Sequence, residues 1–455
     1  MNKTFFFYDL ETSGRFPRAD RIMQFAGQRT DMNLEPIGEP VNILVKLPND
    51  TLPSPIAISI TGITPQSTQA DGMTEAEFCK YISEEIFVPN TIAVGYNSIR
   101  FDDEFIRHIF WRNFYDPYEW QWKDGRSKWD LLDVIRMTRA LRPEGIEWPV
   151  SEKGKATNRL ELITKANSIS HEAAHDAMSD VNALIDVTKL IREKQPKLFD
   201  FLLKIRDKKE LAKYINLENP HPFVYSSGRY SSDFNKTTVV FPLATTETGA
   251  VLVYDLRYNL DELVEKRSDE EKEKNPTFYP VFKELRLNRC PAVAPLSVLD
   301  QDDGWKKLSL TREEIEKNLQ TLLKNKNLVE DIHQKILEKP EFEKETEMEM
   351  QLYDGFLNEK DIVSCAAVRR ADKYELSSIT PEFQDPRLPG LFVNYKGRNF
   401  PETMNDTERE QYENYRLARI TRQQKDFVKE LQTLSEQDGN DFIIEELQLW
   451  LENIL

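Results

Sequence analysis

The run from Phe5 to Thr12 places two acidic residues at the end of an apolar, aromatic segment. Such a segment predicts a buried β-strand, on which residues two apart point to the same face. Asp9 and Glu11 should therefore project side by side from the end of a core strand. Close carboxylates repel one another unless one is protonated or a cation neutralises them, and hard oxygen ligands favour Mg²⁺ or Mn²⁺. An isolated pair of this kind would more often be a solvated strand end without function.

Two later segments supply candidate partners for this pair. The segment 92–97 predicts a second buried strand, and the helical pattern that follows places Asp102 and Asp103 at a helix N-terminus. For either aspartate alone, an ordinary N-cap is the simpler interpretation. Asp180 flanks the apolar face of a later predicted helix, where a carboxylate needs a partner, and His175 lies on the turn before it.

The order of these motifs resembles a known family of nucleases. Asp9-x-Glu11, then Phe101-Asp102, then His175 five residues before Asp180 is similar to the DEDDh branch of the DnaQ-like 3′→5′ exonucleases. The resemblance is closer still to the bacterial exodeoxyribonuclease I family and extends over nearly the whole chain. The segments that extend it are 95–104, 129–134, 141–146, 175–178, 394–395 and 398–401.

The resemblance implies an α/β protein of three consecutive domains. We expect a ribonuclease-H-like DEDDh exonuclease domain at 1–195, an SH3-like β-containing domain at 196–347, and a helical exonuclease I C-terminal domain at 348–455. Residue patterning supports an α/β first region, a β-rich middle and a helical end. Patterning alone would not have identified the SH3-like domain.

The resemblance also implies a reaction and its catalytic residues. The expected activity is Mg²⁺-dependent 3′→5′ hydrolysis of single-stranded DNA to 5′-mononucleotides, in DNA repair and recombination. Two Mg²⁺ ions per active site are implied, and Mn²⁺ should also support activity. Asp9, Glu11 and Asp180 would hold the ion that activates water, and Asp9 with Asp102 the second. His175 would be the general base, suited by an ordinary pKa near 6.5.

Further residues are candidates for contacts with the DNA strand. Guanidinium groups and aromatic faces suit sequence-tolerant binding, because every base has a face to stack on. A helix ion pair remains an equal alternative for Arg159, and core packing an equal alternative for each aromatic. The residues implied by position in the family are Glu11, Arg107, Tyr118, Trp122, Arg136, Arg159, Lys208, Lys283, Asn288 and Tyr353.

Length and charge restrict the class of protein. A chain of 455 residues is too long for one core, so two or three domains are expected. The net charge of −17 argues only superficially against nucleic acid, because a local basic groove can still contact phosphates. The acid-rich segments 265–274 and 338–349 are interpreted as solvated, and the second as a domain boundary.

Compartment and partners follow from similar arguments. The scattered Cys79, Cys290 and Cys365 are typical of reduced thiols. Together with the absence of a leader pattern or long apolar run, they predict a cytoplasmic protein without a membrane partner. We expect a monomer that binds single-stranded DNA. The acidic C-terminal tail of single-stranded DNA-binding protein is a partner implied by the family alone, with Arg142 a candidate for its pocket.

Two other functions were weighed. An RNA-directed nuclease or a polymerase proofreading subunit would use the same chemistry, but the extra residues that resemble exonuclease I argue against a lone catalytic domain. A binding or scaffolding protein with a degenerate exonuclease fold would usually lack one of the acidic residues. All four carboxylates and the histidine are present. The sequence therefore favours an active DNA exonuclease.

Overall fold

The structure is a computed structural model that describes residues 2–171, 176–266, 281–337 and 345–455. Up to residue 171, strands and helices alternate in a mixed order. These elements are β1 (Thr4–Thr12), β2 (Ile22–Thr30), β3 (Val41–Leu44), α1 (Pro55–Thr61), α2 (Pro65–Asp71), α3 (Glu75–Tyr81), β4 (Thr91–Gly95), α4 (Asp102–Arg112), β5 (Ser127–Asp130), α5 (Leu131–Leu141) and α6 (Leu160–Ala166).

The middle of the chain begins with helices and continues with short strands. Its elements are α7 (Ala177–Lys194), α8 (Pro196–Ile205), α9 (Lys208–Ala212), β6 (Phe223–Ser226), β7 (Thr237–Thr245), β8 (Val251–Asp255), α10 (Leu260–Lys266), β9 (Phe282–Leu285), β10 (Ala292–Pro295), α11 (Gly304–Lys307), α12 (Arg312–Lys324) and α13 (Lys326–Leu337). The acid-rich segment 265–274 lies almost entirely outside the described residues.

The last described segment is helical, as its sequence pattern predicts. It contains α14 (Glu359–Arg370), α15 (Lys373–Leu376), α16 (Leu388–Asn399), α17 (Asp406–Ser435) and α18 (Asp441–Ile454). A 3-10 helix at Met348–Tyr353 precedes them. None of the helices in the described ranges is both long enough and apolar enough to cross a membrane.

The chain forms two compact units that do not follow its linear order. The first comprises Met1–Ser127, Glu172–Asn182 and Glu343–Leu455, and the second comprises Lys128–His171 and Ala183–Phe342. Both β5 and α7 span a boundary between the units. The compact units are defined by proximity in space, whereas the predicted domains are consecutive segments of the chain. The domain boundaries inferred from the sequence therefore remain a prediction.

The first unit is built around β1. Within this unit the strand order is β3-β2-β1-β4, with β1 antiparallel to β2 and parallel to β4. The aromatic residues of β1 are buried, as expected, and Phe6 and Tyr8 pack in one core cluster with Phe105 and Ile109 of α4. That packing brings the N-terminus of α4 to the strand that carries Asp9 and Glu11.

The C-terminal helices share a core with the N-terminal part of this unit. Met23 and Ile58 pack with Ile420, Phe427 and Trp450 in a single buried cluster. The Trp450 indole Nε1 also donates a hydrogen bond of 3.0 Å to the backbone oxygen of Thr51. The helices α17 and α18 are therefore part of the hydrophobic core around the first strands.

A buried ion network also joins these segments of the first unit. Its members are Arg21, Asp50, Glu75, Arg112, Glu349 and Arg398. Arg21 Nη2 lies 2.8 Å from Glu349 Oε2, and Arg398 Nη1 lies 3.1 Å from Asp50 Oδ2 and also pairs with Glu349. The interpretation of 338–349 as solvated is therefore wrong for Glu349, because arginines from distant segments compensate its burial.

The second unit contains an antiparallel five-stranded sheet of order β10-β6-β7-β8-β9. The residues of β6 and β8 are all buried, which agrees with the β-rich pattern of this part of the sequence. A shift in register between Pro242 and Ala244 bends β7, the strand at the centre of the sheet.

Candidate active site

Asp9 and Glu11 project from the carboxyl end of β1, as predicted. The parallel pairing of β1 with β4 covers Thr4–Phe7, so both acidic residues lie beyond the paired segment. On its other side β1 pairs with β2, and the register shifts immediately after Glu11. The strand end is thus paired on the β2 side and no longer paired on the β4 side, where the two carboxylates lie.

Asp180 completes an acidic cluster with these two residues. It lies in the first turn of α7, where its backbone N–H bonds the carbonyl oxygen of Asp176 at 3.0 Å. One carboxylate oxygen each from Asp9, Glu11 and Asp180 lies within 4.8 Å of the other two. A site formed from residues about 170 positions apart in the sequence therefore agrees with the predicted ligand set.

Asp102 and Asp103 occupy the first turn of α4, also as predicted. Both are buried. Asp103 is not the helix cap that the sequence suggested, because the helix begins at Asp102 with Phe101 in the N-cap position. Its Oδ1 instead accepts a hydrogen bond of 2.7 Å from the Tyr8 hydroxyl, which ties α4 to β1.

The electrostatics of the cluster are unfavourable without a cation. Burial raises the pKa of Asp9 well above its usual value, and the carboxylates of Asp102, Asp180 and Glu11 raise it further. Burial likewise raises the pKa of Glu11 to about 8, with Asp180 and Asp176 adding to the effect. Asp102 is thus electrostatically close to Asp9, although it lies outside the tight group of three.

The donor set fits a divalent cation. Carboxylate oxygens are the ligands that Mg²⁺ and Mn²⁺ prefer, and a bound cation would remove the repulsion that raises these pKa values. The expected general base, His175, lies outside the described residues, so its position relative to the carboxylates stays a prediction. The charge of Asp176 also raises the pKa of Glu11. Sequence reasoning missed this residue, because its only signal was its place beside His175.

Besides Glu11, four of the predicted DNA-contact residues lie in the first unit, and three of these four meet. The Arg107 guanidinium lies over the Tyr118 ring at 5.8 Å, and its Nη1 lies 3.5 Å from the Tyr353 hydroxyl. Tyr353 also bonds Glu104, on the turn that carries Asp102. Trp122 is 63% exposed and available for stacking.

Phe356 lies beside Tyr118 but was missed by sequence reasoning. Its side chain is 90% exposed, and its ring centroid lies 6.1 Å from that of Tyr118. The available signal was its position three residues after Tyr353 in the same short segment. Exposed aromatic rings beside a guanidinium form a surface suited to unpaired bases.

The remaining predicted contacts lie in the second unit. Arg159 is exposed and 3.9 Å from Glu161, so the ion-pair alternative is a weak one. Lys208 begins α9 and Asn288 lies on a 3-10 helix, both exposed. Lys283 is buried, and its Nζ donates to the backbone oxygen of Arg229 at 2.9 Å. Arg136 pairs with Asp133 at 2.5 Å.

Two other sequence interpretations concern single residues. The Arg142 Nε lies 3.2 Å from Asp302 Oδ2, and its role in a peptide pocket stays a prediction. All three cysteines are free thiols, as expected from their scattered positions.

Family sequence models match three consecutive parts of the chain. A model described as Exonuclease matches residues 6–188, the segment that contains β1, α4 and the start of α7. The Exonuclease I SH3-like domain matches 206–338 and the Exonuclease I C-terminal domain matches 346–454. These matches confirm the predicted fold class and order of domains. The fold is that of an exonuclease.

Curated relatives specify the family within that class. The chain is 39% identical over 445 residues to Exodeoxyribonuclease I of Haemophilus influenzae, covering 95% of this chain and 94% of the relative. It is 39% identical over 450 residues to Exodeoxyribonuclease I of Escherichia coli, covering 96% and 94%. The chain therefore belongs to the exodeoxyribonuclease I family.

Solved exonuclease I structures, among them two of the Escherichia coli enzyme, show the same fold. Exonuclease I in complex with a dA16 oligonucleotide superposes with a TM-score of 0.94 at 37% identity, covering all of both chains. A zinc-bound ExoI–ssDNA complex gives a TM-score of 0.92, and SSB/Exonuclease I with the inhibitor CFAM gives 0.89, each at 37% identity and full coverage.

Proposed function

We propose that this protein is a Mg²⁺-dependent 3′→5′ exodeoxyribonuclease that degrades single-stranded DNA to 5′-mononucleotides by two-metal-ion hydrolysis. We further propose that it acts in DNA repair and recombination. Family membership supports the coarser statement that it is a DNA exonuclease. The observation that supports metal-dependent hydrolysis is the cluster of Asp9, Glu11 and Asp180, whose carboxylate oxygens lie within 4.8 Å of each other.

The proposed reaction assigns a task to each acidic residue. Divalent cations held at such a site supply a lowered pKa for an attacking water and charge neutralisation at a phosphate. Asp9, Glu11 and Asp180 would bind one cation, and Asp9 with Asp102 a second. The hydrogen bond from Tyr8 to Asp103 would hold the first turn of α4, and with it Asp102, against β1. Glu11 would also face the terminal nucleotide.

Proton transfer is assigned to His175. A histidine with a pKa near neutrality can accept the proton of an attacking water and release it to solvent, which contributes typically about 10²–10⁴-fold to a rate. It precedes Asp180 by five residues in the sequence. The assignment rests on the sequence motif alone.

Single-stranded DNA is the proposed substrate. The surface of Arg107, Tyr118, Tyr353 and Phe356, with the exposed Trp122, offers stacking faces and a guanidinium group, a combination that suits unpaired bases of any sequence. The complexes of the Escherichia coli relative with oligonucleotides support the same class of ligand. Arg136, Arg159, Lys208, Lys283 and Asn288 are proposed as further strand contacts from the second unit.

A protein partner is proposed by kinship. A similar exonuclease I structure is described as SSB/Exonuclease I, and we extend that interaction to this chain, with the acidic tail of single-stranded DNA-binding protein as the ligand. Arg142 remains a candidate for the pocket. The protein is proposed to act as a monomer.

The experiment compares Asp180→Asn with Asp186→Asn, an exposed aspartate on the same helix. Both are assayed on 5′-labelled single-stranded DNA, duplex DNA and RNA with Mg²⁺ and with EDTA. We expect Asp180→Asn to lower the rate on single-stranded DNA at least about 100-fold, the scale for losing one electrostatic stabiliser at a reaction centre. Its melting temperature should stay equal or rise, because like-charge repulsion is relieved.

Asp186→Asn should retain the wild-type rate, and EDTA should abolish cleavage by every active variant. Wild-type turnover in Asp180→Asn would disprove the assignment of the acidic cluster. Failure of the wild-type protein to cut single-stranded DNA in Mg²⁺ would disprove the proposed function.

A further inference from the structure

The second unit contains a group of five cations that sequence reasoning did not assemble. Arg136 and Lys283 were expected to contact DNA separately, and the structure places three more cations with them. We call the five the basic cluster: Arg136, Lys155, Arg229, Lys236 and Lys283. The cluster is notable because the whole chain has a net charge of −17.

The loop between β6 and β7 holds the cluster together. A Cβ built on Gly228 would lie 3.0 Å from Arg136 Nη2, so the guanidinium packs directly on this glycine. Lys283 Nζ donates to the backbone oxygen of Arg229 at 2.9 Å. The backbone N–H of Ser227 donates to the carbonyl oxygen of Lys236, also at 2.9 Å. Cations from α5, β9 and the loop thus share one site.

Neighbouring cations in the cluster affect one another. Burial lowers the pKa of Lys236, and the charges of Arg136 and Lys155 lower it further. Burial also lowers the pKa of Lys283, where the charges of Arg229 and Lys236 add to the effect. Within the described residues, Arg136 alone of the five pairs with a carboxylate within 4.0 Å, that of Asp133. Asp233 opposes the lowering at Lys236 and Asp255 opposes it at Lys283. With Asp133, three carboxylates act on the five cations, so the cluster keeps a net positive charge.

Lys236 is also held in an unusual backbone conformation. Asn235 and Lys236 have φ angles of 53° and 60°, in the left-handed region that residues with side chains rarely adopt. Glycine would fit position 236 with less strain. A lysine here is costly to the fold, and such outliers are common where a side chain serves a ligand.

We propose that the basic cluster binds the phosphate backbone of the DNA strand, with Lys236 and Arg229 as phosphate contacts not previously assigned. This inference rests on the proposed function and adds two phosphate contacts, Lys236 and Arg229, to the strand contacts already proposed for the second unit. The Tyr230 ring is buried under Lys283 rather than exposed. The cluster therefore offers charge without a stacking face, which suits phosphates rather than bases.

The test measures binding, so that it does not depend on catalysis. Affinities of the full-length wild type, Lys236→Gln, Arg229→Gln and the double variant are measured on a fluorescent thymidine 30-mer in EDTA, between 50 and 300 mM salt. Lys317→Gln, an exposed lysine on α12 of the same unit, is the matched control. Each single variant should bind about 5- to 10-fold more weakly at 50 mM salt and lose about 0.7 from the logarithmic salt slope.

Salt slopes equal to the Lys317→Gln control would overturn the proposal. Lys236→Gly adds a second readout: relief of backbone strain should raise its melting temperature, whereas DNA binding should weaken as in Lys236→Gln. A variant that binds DNA normally but loses affinity for an acidic peptide would instead assign the cluster to a protein partner. If the wild type shows no Mg²⁺-dependent cleavage, the proposed function is contradicted, but the result of this binding test is unaffected.

Discussion

Asp255, on β8 of the second unit, is a buried carboxyl that accepts hydrogen bonds from two uncharged donors. Its Oδ1 accepts hydrogen bonds from Thr238 Oγ1 at 2.7 Å and from the backbone N–H of Arg257 at 3.1 Å. Burial raises its pKa to about 6, against the lowering effect of these hydrogen bonds and of Arg257 and Lys283. The folded protein therefore binds this proton more tightly than the unfolded chain does.

A raised pKa makes a stability contribution that is complete at low pH. The contribution of the Asp255 proton is fully present below about pH 4 and is lost as the pH rises through about 6. Asp255→Asn keeps an oxygen that can accept both hydrogen bonds and never becomes charged. The variant should gain stability relative to wild type by about 2–3 kcal/mol between pH 4 and pH 7.5.

Urea denaturation of both proteins at several pH values measures this difference. Asp200→Asn, an exposed aspartate on α8, is the control and should show no such trend. A constant difference between Asp255→Asn and wild type across the pH range would mean that the carboxyl ionises normally in the folded protein.

At the scale of single residues, sequence reasoning located the acidic site well. Asp9 and Glu11 follow from strand periodicity and Asp180 from the resemblance, and the structure brings their oxygens together. Asp176 and the bond from Tyr8 to Asp103 could not be found in this way. Each depends on which distant segments meet, and local pattern contains no information about that.

Among the helices, α16 shows how packing can override local preference. Gly397 lies within this helix, where alanine would ordinarily be favoured by about 1 kcal/mol. A Cβ at 397 would lie 2.4–2.6 Å from ring carbons of Tyr412 on α17. That ring is buried, and its hydroxyl donates to Asn49 Oδ1 at 2.7 Å, so it has little room to move.

Gly397→Ala should therefore destabilise the protein by about 1–3 kcal/mol despite its better helix propensity. Gly390, in the same helix, is the matched position, because a Cβ there meets only the flexible end of Met348. Gly390→Ala should be close to neutral. Thermal melts of the two variants give the comparison, and equal melting temperatures would show that α16 and α17 adjust freely.

The elements themselves were largely predictable. The aromatic run became β1, and the expected strand at 92–97 became β4 over Thr91–Gly95. Short-range periodicity determines such elements, so one sequence is enough to find them. The acid-rich end of 338–349 was misread, because an isolated glutamate resembles a solvated one until the arginines that surround it are known.

For the molecule as a whole, the buried ion network joins segments far apart in sequence. Burial disfavours the charge of Glu349, but Arg398, Arg21 and Arg419 outweigh it and hold its pKa well below the usual range. Removing one partner of a buried pair leaves the others uncompensated, at a typical cost of about 3–5 kcal/mol.

Glu349→Gln should therefore lower the free energy of unfolding by about 3–5 kcal/mol, and activity should be lost along the same denaturation curve as the fold of the first unit. Chemical denaturation followed by fluorescence and by nuclease activity measures both. Glu402→Gln, an exposed glutamate near α16, is the control. A change below 1 kcal/mol in Glu349→Gln would mean that the network contributes little net stability.

The three predicted regions follow the chain, whereas the compact units do not. Sequence patterning detects runs of one kind of structure but not which runs share a core. The cluster of Met23, Ile58, Ile420, Phe427 and Trp450 therefore had no signature in the sequence. The C-terminal region was expected as a separate helical domain, and its packing into the first unit emerged only from the structure.

The discontinuous first unit has a consequence for folding during synthesis on the ribosome. Chains grow from the N-terminus, so β1 and its two carboxylates emerge long before Trp450 and Ile454, which complete the core around Met23. All residues of the second unit, which lie between Lys128 and Phe342, are synthesised before the last helices of the first unit. A polypeptide interrupted during translation would lack the packing that supports the acidic strand. Nuclease assembly is in this way coupled to synthesis of α18.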